Sequence, residues 1–202
     1  MQRAIVLASR NQGKIKEFRA LLAPLGLQLI SLLDLPDVPD IVEDGDTFFA
    51  NARLKAETVC KATGLPTLAD DSGLVVHYLG GAPGVHSARF AWPEKGDGAN
   101  NAKLLRILAD VPEYKRQAHF TAVIALAMPD SETQFATGRC FGLIANEPRG
   151  EQGFGYDPLF YIPELGKTMA EIEPTIKNQL SHRAKAMRHM LLLLRSSLSC
   201  VQ

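Results

Sequence analysis

The first strongly patterned stretch is the apolar run Ala4 to Ala8, which predicts a buried strand. Ser9-Arg10-Asn11-Gln12-Gly13-Lys14 breaks the run, and Ile15, Phe18, Leu21 and Leu22 then recur at helical spacing, predicting a helix from Gly13 to Leu22. A strand that feeds straight into a helix places the turn between them at the carboxyl edge of a sheet, where α/β proteins bind ligands. Leu27 to Leu32 predicts a second strand, followed by a loop rich in Pro and Asp from Asp34 to Asp46. Thr47 then caps a helix running to about Thr63. Phe48, Ala52, Ala56 and Val59 form its apolar stripe and Gly64-Leu65-Pro66 its stop. Asn51 and Lys55 are four apart and share one face, turned either into a cleft or, as is commoner for polar residues, to solvent.

Leu68-Ala69-Asp70-Asp71-Ser72-Gly73-Leu74-Val75-Val76 sets two adjacent carboxylates between apolar, strand-like segments. Gly80-Gly81-Ala82-Pro83-Gly84 predicts a loop leading to Ser87-Ala88-Arg89 and then a helix from about Asn100 to Leu108. Gln117 to Leu126 and Gln134 to Phe141 alternate as strands do around the turn Pro129-Asp130-Ser131-Glu132, predicting a hairpin, and His77 and His119 within strand-like runs read as structural. The last helix, from His182 to about Ser196, aligns Ala184, Met187, Leu191 and Leu194, a stripe suited to core packing or a subunit contact. No internal repeat interrupts the series.

At 202 residues the chain is long enough for one well-buried core, so a single domain, possibly with two lobes, is expected. Lys+Arg and Asp+Glu number 22 each, for zero net charge, which argues against a protein that holds duplex nucleic acid through its phosphates. Charge is local instead: Asp34, Asp37, Asp40, Glu43, Asp44 and Asp46 form an acidic run, and Lys177, His182, Arg183, Lys185, Arg188 and Arg195 make the C-terminal segment basic. Cys60, Cys140 and Cys200 lack metal-ligand spacing and suggest no disulfide framework, as expected in a reducing compartment. The N-terminal apolar run is too short for a signal peptide, and no apolar stretch approaches the roughly 20 residues that cross a bilayer. A soluble, cytoplasmic protein is expected.

The candidate chemistry begins at Asp70 and Asp71. If the segment is extended, successive side chains face opposite ways, so only one of the two can readily meet a given ligand, and Glu43 is the leading candidate for a second carboxylate beside it; the alternative is that Asp70-Asp71-Ser72-Gly73 is a hydrogen-bonded turn between strands. Two carboxylates about 4 Å apart repel by roughly 4 kcal/mol at an effective dielectric near 20, a cost that a divalent cation reverses; hard oxygen ligands favour Mg²⁺. The turn from Ser9 to Lys14 lacks the Walker A order but offers free N–H groups, a hydroxyl, an amide and the Lys14 charge to phosphate. Gly153-Phe154-Gly155-Tyr156-Asp157-Pro158 presents two rings on a glycine-paved bend, suited to stacking a flat base on Phe154 or Tyr156. Lys177-Asn178-Gln179-Leu180-Ser181-His182-Arg183 adds cations and donors at a helix start with Ser181 as N-cap. A purine nucleotide suits both segments, although turn and cap chemistry alone also accounts for them.

Taken together these motifs resemble the inosine triphosphate pyrophosphatases, the dITP/XTP or non-standard purine nucleoside triphosphate pyrophosphatases. The resemblance runs nearly end to end through Ser9-x-Asn11-x-x-Lys14-x-x-Glu17, Glu43-x-Gly45-x-Thr47-Phe48-x-x-Asn51-Ala52-x-x-Lys55-Ala56, Ala69-Asp70-Asp71-Ser72-Gly73-Leu74, Gly80-Gly81-Ala82-Pro83-Gly84 and the two later segments. It implies an α/β fold, with an elongated mixed sheet flanked by helices and two lobes around a central substrate cleft, usually as a homodimer. It also implies Mg²⁺-dependent hydrolysis of ITP, dITP or XTP to the monophosphate and pyrophosphate. By position, Ser9, Arg10, Asn11, Gln12, Gly13 and Lys14 would hold the phosphates, Glu43 and Asp71 the metal, and Asp71 would also accept the proton. Ser72, Phe154, Gly155, Tyr156, Asp157, Lys177, His182 and Arg183 would contact substrate. Ala50 departs from the acidic residue many relatives carry there. A pyrophosphatase for modified pyrimidine or methylated nucleotides is one rival, and a nucleotide- or RNA-binding module without catalysis is another.

Overall fold

The computed structural model describes residues 4–39 and 41–199, so Asp40 and Cys200 lie outside the described residues. The strands are β1 (Ala4–Leu7), β2 (Gln28–Ser31), β3 (Thr67–Val76), β4 (Gln117–Ala127), β5 (Gln134–Ile144), β6 (Phe160–Ile162) and β7 (Lys167–Thr168). The α-helices are α1 (Gln12–Leu22), α2 (Phe48–Thr63), α3 (Asp97–Ile107), α4 (Pro174–Leu180) and α5 (His182–Ser199). The strands form one open mixed sheet in the order β2-β1-β3-β4-β5-β6-β7. β1 runs parallel to β2 and β3, with Ile5 opposite Leu29 and Val6 opposite Thr67, whereas β6 is antiparallel to β5 and β7.

Local chemistry sets the helix ends. The Asn11 side-chain oxygen accepts from the Lys14 N–H at the start of α1, and the Thr47 hydroxyl accepts from the Ala50 N–H at the start of α2, each satisfying one of the amides that a first turn leaves unpaired. α2 ends at Gly64, where the sequence predicts its stop. β4 and β5 are each longer than the alternation suggests, and α3 starts ahead of Asn100 at Asp97. α4 was not expected: it has 7 residues, too few for a periodic stripe, and begins on a proline.

The chain divides into two compact units. The first takes the stretch up to Asp71, Ala122–Gly138 and the stretch from Arg183; the second takes Ser72–Thr121 and Arg139–His182. Within the first unit, strand alternation sorts side chains into two apolar layers. Ile5, Leu7, Leu68, Ala122, Ile124 and Leu126 pack with Phe18 and Leu22 of α1 and Met187, Met190 and Leu194 of α5. Val6, Ala8, Ala69, Val123, Ala125 and Ala127 pack with Ala52, Ala56, Val59 and Cys60 of α2. The small side chains on this second face let α2 approach the sheet closely. Within the second unit, Leu74, Val76, Leu104, Leu108, Phe120, Tyr156 and Phe160 belong to a core of its own. Cys60 and Cys140 are both buried free thiols, in keeping with the absence of a disulfide pattern in the sequence.

His77 and His119 do form a structural pair: Nε2 of one lies 3.0 Å from Nδ1 of the other, and the His119 ring also packs on Phe141. Such a bond needs one protonated and one bare nitrogen. Burial, then the neighbouring His77 and Arg139, depress the pKa of His119 below the ordinary 6.5. As pH falls below 6.5 the unfolded chain binds a proton that the folded His119 resists, so folding stability is full above that value and falls beneath it. Urea midpoints at about pH 7.5 and about pH 5.5 should show this loss, and His119→Gln should shrink it.

Candidate functional site

The first unit gathers its charged side chains on the two faces of β3. Asp70 follows Leu68 onto the face covered by α1 and α5, and Asp71 follows Ala69 onto the face covered by α2. Asp70 Oδ2 accordingly meets Lys14 Nζ of α1 at 2.7 Å and Arg183 Nε of α5 at 3.3 Å, and Arg183 Nη1 continues to Glu17 Oε2 at 2.9 Å. On the other face Asp71 Oδ2 accepts from Asn51 Nδ2 at 3.1 Å, and Lys55 Nζ stands 3.6 Å from Asp71 Oδ1 and 2.7 Å from Glu43 Oε2. The Asp70 carbonyl oxygen accepts from both Lys55 Nζ at 2.9 Å and Lys14 Nζ at 3.3 Å, joining the two clusters through the backbone.

The two aspartates titrate in opposite directions. Burial would raise the Asp70 pKa, but Lys14 and Arg183 outweigh it and hold this carboxyl well below the usual range. Asp71 is pushed up to about 6, first by burial and further by Glu43, with Lys55 and Lys14 opposing. Glu43 is also subject to burial, yet the charge and hydrogen bond of Lys55 leave it below its ordinary value. Lys14 is lowered by burial and by the company of Lys55 and Arg183, against the pull of Asp70. Asp70 is thus a permanent counter-ion, whereas Asp71 is the carboxylate able to take up and release a proton near neutrality.

Glu43 and Asp71 fit a hard divalent cation. They are drawn to a common ammonium, and the Asp71 pKa is raised first by burial and then by Glu43, both of which a bound cation would offset. No group of three or more acidic, His or Cys side chains with metal-binding geometry occurs among the described residues. Mg²⁺ is content with one or two protein carboxylates and takes its other oxygens from phosphate and water.

In the second unit the Phe154 loop is built around Asp157. Its Oδ2 accepts from the Phe154 N–H at 2.9 Å and pairs with Lys177 Nζ at 2.6 Å, and that ammonium lies 5.0 Å from the centre of the Phe154 ring. Gly153 is obligatory: its φ is +82°, and a Cβ there would come 2.0 Å from Asp157 Oδ2. Phe154 is half-buried, so its ring can still stack with a base.

Several expected roles change. Tyr156 is not a stacking platform: it is buried in the core, its hydroxyl donates to the Ser87 carbonyl at 2.8 Å, and burial raises its pKa. The His182 ring is buried flat against Phe120, with centroids 4.7 Å apart, and the Arg183 guanidinium is occupied by Asp70 and Glu17. Arg10 donates to the carbonyls of Leu32 and Val38, bracing the loop beyond β2. Lys177 belongs to the last turn of α4, whereas Ser181 stands extended immediately before α5, in keeping with its expected place at that helix start. Ser9, Gly13, Lys14 and Ser72 are half-buried, and Asn11 and Gln12 are exposed.

Asn51 and Lys55, which the sequence left between a cleft and the commoner solvent-facing reading because helical spacing places them on a polar face without saying what that face meets, are buried. Asn51 is 1% exposed, and its amide grips both ends of Gly45, accepting from the N–H at 2.8 Å and donating to the carbonyl at 3.3 Å. A Cβ on Gly45 would stand 2.7 Å from Asn51 Oδ1. The signal that could have exposed both residues is Gly45 itself, a small residue just ahead of a capped helix and beside Glu43.

This fold is shared with solved Ham1 proteins. The structure of a HAM1 protein from Coxiella burnetii superposes with a TM-score of 0.87 at 43% identity, covering 96% of this chain and 100% of that one. The Staphylococcus aureus Ham1 protein gives 0.85 at 42% identity, with the same coverage of 96% and 100%. The chain belongs to the Ham1 family, which matches residues 5–192. Among curated relatives, the dITP/XTP pyrophosphatase of Geobacillus kaustophilus is 56% identical over 183 residues, 91% of this chain and 90% of that protein. The dITP/XTP pyrophosphatase of Bacillus licheniformis is 48% identical over 190 residues, 94% and 97% of the two chains.

Arg183 as a buried counter-ion makes a prediction distinct from Arg183 as a base reader. Arg183→Met removes the Glu17 ion pair and leaves Asp70 to Lys14 alone, and should lower the unfolding free energy by about 3 kcal/mol in a denaturant titration. An unchanged midpoint would return Arg183 to a purely ligand-directed role.

Proposed function

We infer that this chain hydrolyses non-standard purine nucleoside triphosphates of the ITP, dITP and XTP class to the monophosphate and pyrophosphate. The observation that carries this reading is the pairing of Glu43 and Asp71 at Lys55, with Lys14 nearby, in a chain 56% identical to a dITP/XTP pyrophosphatase. Ser9, Asn11, Gln12 and Gly13 present the amide-rich turn before α1 to the phosphates, and Lys14 neutralises their charge. Glu43 and Asp71 would hold Mg²⁺, which when bound supplies further neutralisation of the triphosphate oxygens. Asp71 orients a water molecule and accepts its proton as the oxygen bonds to phosphorus and the P–O bond to the pyrophosphate leaving group breaks. A bound cation would keep the Asp71 carboxylate ionised at pH 7, ready to accept the proton.

Base recognition falls to the second unit. Phe154 offers a ring face, and the Lys177 ammonium beside it is the donor we assign to the 6-oxo group of hypoxanthine or xanthine. Adenine carries an amino group there, and two donors facing each other leave both unpaired; sites that demand such a bond discriminate by about 10⁴ to 10⁵. The same reading makes the whole chain one catalytic domain, acting as a cytoplasmic homodimer with no nucleic-acid or membrane partner. Zero net charge supports the absence of nucleic acid, and no helix among the described residues is long and apolar enough to cross a membrane.

Purified protein offered ITP, dITP, XTP, GTP, ATP and dUTP, with and without Mg²⁺, should release monophosphate and pyrophosphate from the first three in preference to ATP. Similar kcat/KM for ITP and ATP would refute the purine-oxo reading, and preference for dUTP would favour a pyrimidine enzyme. Asp71→Asn should reduce turnover by about 10² to 10⁴, and near-normal turnover would remove Asp71 as the base.

A further inference from the structure

The Phe154 loop is held from outside by a helix that the functional reading leaves unused. Asp97 and Asn101 lie one turn apart on α3, so their side chains project from the same face. Both reach Gly155. Its N–H donates to Asp97 Oδ2 at 2.6 Å, and its carbonyl accepts from Asn101 Nδ2 at 3.0 Å. Gly155 is therefore clamped through both of its backbone polar groups, immediately after the ring at Phe154 and before the buried Tyr156.

We propose that Asp97 and Asn101 are positioning residues that set base selectivity by fixing the bend at Gly155. The inference rests on the Phe154 loop receiving the purine, as argued above. Discrimination between an oxo and an amino group depends on a donor that cannot shift to follow the ligand, because a loop free to move would relieve the mismatch that penalises adenine. Asp157 and Lys177 secure the near end of the loop at Phe154. The α3 pair secures the next residue, so ring and ammonium keep their spacing.

A second observation separates this role from ordinary loop packing. Asn101 Oδ1 is buried with no hydrogen-bond partner among the described residues, an arrangement that costs stability. The amide orientation is dictated by the Gly155 carbonyl, which needs the NH₂ group, so exchanging the two ends would not relieve it. A residue kept for folding alone would be better replaced by an apolar one. The position thus pairs a stability defect with a directed bond to the recognition loop, as expected where geometry serves a ligand.

Asn101→Leu, Asp97→Ala and Asp97→Asn test the proposal through the ratio of kcat/KM for ITP to that for ATP, which does not depend on the fraction of enzyme folded. Asn101→Leu should lower the ratio about tenfold, through a raised KM for ITP more than a lowered kcat, with the melting temperature little changed because the lost bond to Gly155 and the removed orphan acceptor offset each other. Asp97→Ala should lower the ratio similarly. Asp97→Asn, which keeps an acceptor oxygen for the Gly155 N–H, should recover most of it. Unchanged ratios in both Asn101→Leu and Asp97→Ala, whatever their melting temperatures, would overturn the proposal. Wild-type enzyme unable to tell ITP from ATP would remove the functional reading and this inference with it.

Discussion

Two neighbouring aspartates on one strand must point to opposite sides of the sheet, and the organisation of the first unit follows from that constraint. A carboxylate in the interior survives as an anion only with cations or donors around it, so each face of β3 had to be supplied separately. α1 and α5 bring Lys14 and Arg183 to Asp70, whereas α2 brings Lys55 and Asn51 to Asp71. The difference between the faces is one of balance. Asp70 has two cations close by and loses its basicity. Asp71 must share Lys55 with Glu43, and burial leaves its pKa raised.

Glycines carry the second constraint, that of close approach. Gly45 leaves room for the Asn51 amide that ties the Glu43 loop to the helix opposite Asp71. Gly153 leaves room for the Asp157 carboxylate that organises Phe154 and Lys177. In both places a short polar side chain replaces water as the partner of a bent backbone, so the bend is held by bonds of fixed length. Asp97 and Asn101 extend the same device to Gly155, using a helix as the rigid support.

Zero net charge now has a structural meaning. Lys14, Lys55 and Arg183 are engaged by Glu17, Glu43, Asp70 and Asp71 within the protein, so these charges largely cancel in place.

Much of this was legible in the linear chain. Apolar runs and caps located β1, α1 and α2 closely, since Asn11, Thr47 and Gly64 act through bonds made within a few residues. The period of a strand was enough to place Asp70 and Asp71 on opposite faces, though not to say which of them acts. α4 escaped notice because a helix of 7 residues has no stripe to detect, and its Lys177 was credited to the helix that follows. The burial of Asn51 and Lys55 stayed open because a helical wheel distinguishes polar from apolar faces but not buried from exposed ones. Likewise nothing in the order of residues could show that Arg10, Tyr156, His182 and Arg183 spend their functional groups inside the protein. The sequence by itself determined the order of the strands and α-helices as far as β5, strand facing and the set of acidic and basic groups, since these follow from local geometry and covalent identity, whereas the short β6, β7 and α4 left no periodic trace. Only the tertiary structure decided which cation neutralises which carboxylate, and hence which aspartate keeps its basicity, because that depends on distances between residues far apart in the chain.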